Sequence, residues 1–351
     1  MIQLLGAGAI AFFFAIALTP LAIRILVRNN IGQFIREEVE GHLHKKGTPT
    51  MGGLVVLLSV VLGYTLAHLR VWTRADGLGF DVTEFSPEGM LAIGAFIGMG
   101  LIGFADDWSK VSAERNLGLS KRWKFLGQLV VAALFAWGAI AIDVSTEISF
   151  VRGTGLDLGP VLYGAWVLLL LTATSNAVNL ADGLDGLAAG SAALVFGAFV
   201  IIGFWQFRHF DFYEVQGALD LAVVAAALAG AVLGFLWWNA APAEIFMGDV
   251  GSQALGGGMA ALALLTNTHL LLVVLGGLYV VETASVIIQV VAFRGFGHRV
   301  FRMTPIHHHF ELAGWPETRI IIRFWILAGL LVAIGLGFFY GDFLATTGGL
   351  D

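Results

Sequence analysis

Four side chains recur at steps of three in the stretch Thr172–Gly186, TATSNAVNLADGLDG: Asn176, Asn179, Asp182 and Asp185. Residues three apart are neighbours on a helix surface, so the last three predict one polar side at a helix end. Gly183 and Gly186 stand among them and admit a close approach of backbone or ligand. The stretch joins two apolar runs, Val161–Thr172 and Leu187–Trp205. Two carboxylates and two amides beside runs of that kind are costly unless they bind something. The plain alternative is a polar helix cap at a water interface.

Other links carry chemistry of the same kind. GFADDWSK places Asp106 and Asp107 at the C-terminal end of an apolar run, where the partial negative charge of a helix end disfavours them. Mg²⁺, or lysines such as Lys110, Lys121 and Lys124, would compensate. A carboxylate pair is what Mg²⁺ requires, since it takes hard oxygen ligands and shares them with substrate phosphates. WNAAPAEIFMGDVGS contributes Asn239, Phe246 and Asp249. Alone, Asp249 reads as an N-cap, and Phe246 reads equally as a base-stacking ring or an interfacial anchor. HLHKKGTPTMGG offers Lys46 and Thr48 before a helix start, which suits either an anion site or a basic membrane flank. MTPIHHHFE holds His307, His308 and His309. Successive side chains diverge, so the three do not chelate one metal; they suit hydrogen bonds to phosphate or sugar oxygens.

The elements that must position these residues are membrane spans. Of the 351 residues, 58% are hydrophobic and 13% charged, about half the charge of a soluble domain; the mean hydropathy is +0.85. There is no cysteine, which excludes disulfides and thiolate metal sites. Ten apolar segments suit a bilayer, at about 2–27, 51–69, 88–105, 123–142, 160–178, 187–206, 218–238, 251–266, 270–293 and 319–341. The eighth is short and Gly-rich. Alternate links fall on one side. One set holds Arg70, Arg74, Arg152 and Arg208; the other set, with its flanking helix ends, holds the remaining fifteen of the nineteen Lys and Arg residues. The basic side is cytoplasmic, so both termini face outward. The outer link 148–159 alternates around Gly153 and Gly155 and predicts a hairpin, whereas 70–87 has no recognised pattern. All 351 residues form a single polytopic domain, all-α in class.

The polar residues above share the cytoplasmic side. Carboxylates, lysines, histidines and amides on one face equip an enzyme for a phosphorylated substrate with Mg²⁺. An ion pathway would place its charges near mid-membrane, where Glu282 is the main exception. The net charge of −6 says little, since the placement of charges matters more than their sum; no nucleic-acid partner is expected.

DDWSK, NAVNLADGLDGLAAG, FMGDVGSQALGG, PIHHHFE and GTPTMGG resemble, in order and across the whole chain, the signatures of the bacterial phospho-N-acetylmuramoyl-pentapeptide transferase family. The resemblance implies transfer of phospho-N-acetylmuramoyl-pentapeptide from UDP-MurNAc-pentapeptide to undecaprenyl phosphate, giving UMP and lipid I. It further implies Mg²⁺ as cofactor, a homodimer in the bacterial cytoplasmic (inner) membrane, and a bent ninth helix, with the bend sought between Glu282 and Arg294. By the same resemblance Asp249 is the metal ligand. Asp106 is base or nucleophile toward the lipid phosphate, Asp107 its neighbour, and His307 an essential histidine. Lys46, Thr48, Lys110, Lys124, Asn176, Asn179, Asp182, Asp185, Asn239, Phe246, His308 and His309 are substrate-binding. The alternatives are a related UDP-GlcNAc:polyprenyl-phosphate transferase and a non-catalytic carrier of lipid-linked or nucleotide-linked sugars.

Overall fold

The apolar runs fold as helices in the computed structural model, which describes residues 1–29, 31–32, 47–74, 77–113 and 118–348. In chain order they are α1 (Ile2–Arg28), α2 (Gly53–Ala67), α3 (Pro87–Ser112), α4 (Lys121–Ala141), α5 (Gly159–Ala181), α6 (Leu187–Arg208), a short α7 (Phe210–Tyr213), α8 (Ala218–Asn239), α9 (Gly248–Leu265), a short α10 (Leu271–Leu275), α11 (Gly277–Phe296), a short α12 (Ile306–Leu312) and α13 (Glu317–Thr347). Eight of them, α1, α3, α4, α5, α6, α8, α11 and α13, are long and apolar enough to cross a membrane. The chain is a helical integral membrane protein.

Two of the ten expected spans fall outside that set. α2 has only 15 residues, short of the ~20 that a full crossing takes. α9 opens Gly-Asp-Val-Gly-Ser and carries three consecutive glycines, yet every residue from Val250 to Leu265 is buried. A helix that meets protein on all sides needs no lipid-facing hydropathy, and its small residues let neighbours close in. α9 packs chiefly on α3 and α5, while α8 holds α1 and α6. The lipid-facing helices show large apolar side chains outward, among them Val161, Leu162 and Trp137.

The helical fold carries two small antiparallel hairpins in its links. β1 (Leu69–Arg74) pairs with β2 (Gly77–Val82) in the register Leu69↔Val82 to Arg74↔Gly77. β3 (Glu147–Ser149) pairs with β4 (Gly153–Asp157), as the alternation around Gly153 predicts. The first hairpin also left a trace in the sequence, the alternation Leu78, Phe80, Val82, which belongs to a strand. The ninth segment is interrupted at Gly276, between α10 and α11, and α11 runs unbroken through Glu282–Arg294. Two adjacent glycines, Gly276 and Gly277, weaken the helix at that point.

Both hairpins lie at the end of the bundle opposite the polar links, and a buried polar knot ties that end together. Asp220, in the first turn of α8, accepts hydrogen bonds from the Tyr64 hydroxyl at 2.7 Å and the Ser86 backbone N–H at 3.0 Å. It also faces His68 Nε2 at 3.0 Å. α2, α3 and α8 are thereby pinned at one carboxylate. Asp220→Ala strands buried partners and is expected to destabilise the fold by about 3 kcal/mol. Thermal unfolding in detergent reads this as a lowered midpoint; an unchanged midpoint contradicts it.

Candidate active site

Three carboxylates from two helices meet at the other end. Asp106 and Asp107 lie on α3, and Asp249 lies in the first turn of α9. One oxygen from each comes within 4.8 Å of the others. The approach depends on Gly103, one turn before Asp106 and Asp107 on α3, because a Cβ there would lie 2.1 Å from the Asp249 carbonyl oxygen. The positive end of the α9 dipole suits Asp249. It is not the N-cap that its sequence position suggests, since α9 has no side-chain cap, and its carboxylate is turned into the cluster. α3 continues to Ser112, so Asp106 and Asp107 sit on the helix rather than after it. That continuation brings Lys110 one turn further along the same face.

Lys110 is the hub. Its Nζ lies 2.6 Å from Asp106 Oδ2, 3.1 Å from Asp107 Oδ1 and 3.3 Å from Asp249 Oδ2. Lys124, in the first turn of α4, reaches Asp249 Oδ2 at 2.8 Å. Asn179, in the last turn of α5, donates to Asp249 Oδ1 and to the Ser252 hydroxyl, each at 2.8 Å. Asp107 Oδ2 accepts the Val250 N–H at 3.1 Å, and Asp106 Oδ1 accepts the Leu119 N–H at 3.0 Å. Asp106 and Asp107 are buried. Three carboxylates against two ammonium groups leave a negative balance, and the donors are hard oxygens; both properties suit Mg²⁺.

Asp182, C-cap of α5, sits at the edge of this field. Burial, together with the charges of Asp249, Asp107 and Asp185, pushes its carboxyl up from the ordinary 3.8 to about 8. The fold therefore favours the protonated form. The stability this adds is complete below about pH 4 and is lost as pH rises through about 8. In metal-free protein, Asp182→Asn is expected to raise the melting midpoint at pH 8 and to change it little near pH 4. Equal effects at both pH values contradict the assignment.

The remaining site residues divide. The predicted polar side of a helix stops at Ala181, because the C-cap Asp182 leaves helical geometry with a ψ of 46° and Gly186 takes a left-handed φ of 75°. Asp185 turns away from the carboxylates: its Oδ2 accepts the Ala243 N–H at 2.9 Å, and its N–H donates to Glu317 at 3.0 Å. Asn176 is exposed and donates back to the Thr172 carbonyl oxygen of its own helix at 2.7 Å. Asn239 is buried and braces the α8–α9 link through the Ile245 carbonyl at 2.9 Å. Half-buried Phe246 receives the 47–53 segment, exchanging backbone bonds with Pro49 and Gly52. Thr48 lies in that segment, and Lys46 lies outside the described residues.

The three histidines diverge as expected. His307 is fully buried, 3.1 Å from Glu282. His308 pairs with Glu311, and His309 Nδ1 accepts the Arg302 N–H at 3.1 Å. The structure does not bring them to the carboxylate cluster. Sequence reasoning did not single out Ser252, Glu317 or the Val250 and Leu119 N–H groups. The backbone donors have no signature in side-chain type, and Glu317 reads as an ordinary first-turn acid of α13.

Comparison with known proteins gives a consistent result. Residues 90–267 match the model of glycosyl transferase family 4, and residues 45–57 match the phospho-N-acetylmuramoyl-pentapeptide-transferase signature 1. The chain is 50% identical to the phospho-N-acetylmuramoyl-pentapeptide-transferase of Frankia casuarinae, over 98% of each chain. It is 50% identical to that of Rhodococcus opacus, over 99% of this chain and 100% of the relative. It is 48% identical to that of Streptomyces griseus, over 98% and 99%. With full-length identity at this level, and a buried carboxylate–lysine centre at one end of a helical membrane bundle, the chain belongs to the phospho-N-acetylmuramoyl-pentapeptide transferase family.

Proposed function

We propose that this protein transfers phospho-N-acetylmuramoyl-pentapeptide from UDP-MurNAc-pentapeptide to undecaprenyl phosphate, releasing UMP and forming lipid I. The observation that carries the reading is the Asp106–Asp107–Asp249 cluster with Lys110 and Lys124 inside it. It rests equally on the names of full-length relatives. In this reading ten segments traverse the bacterial inner membrane, both termini face outward, the cluster faces the cytoplasm and the protein works as a homodimer. The bias of Lys and Arg toward the links at the cluster end supports that orientation.

Asp249, with Asp106 and Asp107 beside it, would hold Mg²⁺. When bound, the metal would supply positive charge toward the pyrophosphate and the departing UMP. Lys110 and Lys124 add fixed positive charge at the same place, already oriented and at no reorganisation cost during the reaction. Asn179 fixes the Asp249 carboxylate, and the Val250 N–H fixes that of Asp107. Asp106 borders the position of the attacking lipid phosphate. A lipid phosphate oxygen bonds to the β-phosphorus while the bond from that phosphorus to the UMP oxygen breaks. A phosphate monoester has its second pKa near ~6, so the acceptor arrives largely ionised. Little base catalysis is needed, and a single direct displacement is favoured over an aspartyl intermediate.

The test is identification of the lipid product by mass spectrometry, with UDP-MurNAc-pentapeptide and UDP-GlcNAc offered in parallel reactions. Lipid I from the first and no lipid product from the second is expected. The reverse outcome moves the protein to the N-acetylglucosamine branch, which the relatives' names do not favour.

A further inference from the structure

A carboxylate within an apolar helix is costly to bury and needs a partner. Glu282 is such a group: it lies on α11, fully buried, with its Oε1 3.1 Å from Nδ1 of His307. His307, in the first turn of α12, is equally buried. Its other edge abuts the loop between α5 and α6, so closely that a Cβ on Gly183 would lie 2.4 Å from Nε2. Gly183 follows Asp182 and precedes Leu184 and Asp185. The loop rests on a separate hydrophobic cluster in which Leu184 and Leu187 pack with Leu278 of α11 and Ile320, Ile321 and Phe324 of α13. A chain of contacts therefore runs from Glu282 through the imidazole to the backbone between the two aspartates.

We propose that Glu282 is a positioning residue of the active site: it holds the His307 imidazole against Gly183, and through it the loop that carries Asp182 and Asp185. This rests on the transferase reading above. It gives His307 a place in the reaction without contact to substrate. The arrangement has the form of the carboxylate that orients a metal-bound histidine, where loss of the outer partner costs about 10- to 100-fold; here the ring it orients bears on the loop backbone instead.

The proposal predicts that the pair acts as a unit. Purified protein in detergent is assayed for UMP release with UDP-MurNAc-pentapeptide and undecaprenyl phosphate, and kcat and KM are determined for each substrate. Glu282→Leu and His307→Leu are each expected to lower kcat by about 100-fold, with the KM for the lipid unchanged. The double variant Glu282→Leu/His307→Leu is expected to be no slower than either single variant. Replacing both partners of a buried pair by apolar groups is close to neutral for stability, whereas removing one is not. The double variant therefore keeps a melting midpoint near that of the wild type while remaining slow, which separates positioning from simple unfolding. Glu282→Gln keeps the volume and a side-chain oxygen beside Nδ1 and is expected to recover most of the activity.

Two results overturn the proposal: a double variant slower by the product of the single effects, or full activity in Glu282→Leu. If the wild-type protein itself releases no UMP, the transferase reading fails first, and the variants are not needed to show it.

Discussion

Asp249→Asn is expected to lower the rate of transfer by about 1000-fold or more, a loss of about 4 kcal/mol in transition-state stabilisation. The carboxylate is the meeting point of the site, since Lys110, Lys124 and Asn179 all reach it. Asparagine keeps the shape but removes the charge that balances two ammonium groups and that would complete the proposed oxygen donor set for Mg²⁺. The effect is therefore expected mainly in kcat and in metal binding. Binding of Mn²⁺, followed by its electron paramagnetic resonance signal, gives a readout independent of turnover. Weakened Mn²⁺ binding together with lost activity is the expected pair. Lost activity with unchanged Mn²⁺ binding contradicts the assignment of Asp249 as a metal ligand.

Lys110→Met is expected to move the same two readouts in opposite directions. Its ammonium lies among the three carboxylates, at distances of 2.6, 3.1 and 3.3 Å. A tethered cation in that position competes with a divalent ion for the same oxygens. At these separations even a water-screened unit charge acts with about 1 kcal/mol and a partly buried one with more, so its removal is expected to tighten Mn²⁺ binding by about tenfold. The same removal takes away a positive charge that would neutralise substrate phosphate. UMP release is accordingly expected to fall by about 100-fold. Unchanged or weakened Mn²⁺ binding contradicts the competition.

The sequence made the membrane character and the chemistry legible because both rest on residue type. Apolar runs of span length, the separation of links rich in Lys and Arg from links poor in them, and the recurring Asp and Asn residues needed no tertiary information. What escaped depends on the direction of individual side chains. Asp185 and Asp182 are three residues apart, yet the carboxylate of one accepts the Ala243 N–H while the other stands in the field of Asp249. Asn176 carries the same type and spacing and simply bonds its own helix. The position of Lys110 as hub follows from α3 extending past Asp107, a boundary that hydropathy alone does not set. α9 shows the reverse effect: full burial against its neighbours permits a composition that a lipid-facing helix could not have.

The most direct test of the transferase assignment is UMP release by purified wild-type protein in detergent, with Mg²⁺ and UDP-MurNAc-pentapeptide, measured with and without undecaprenyl phosphate. Release that requires both substrates, and that disappears in the Asp249→Asn variant, is the predicted result. Release without the lipid acceptor contradicts direct displacement and points to a covalent enzyme intermediate. No release from well-folded protein with both substrates present contradicts the transferase assignment itself.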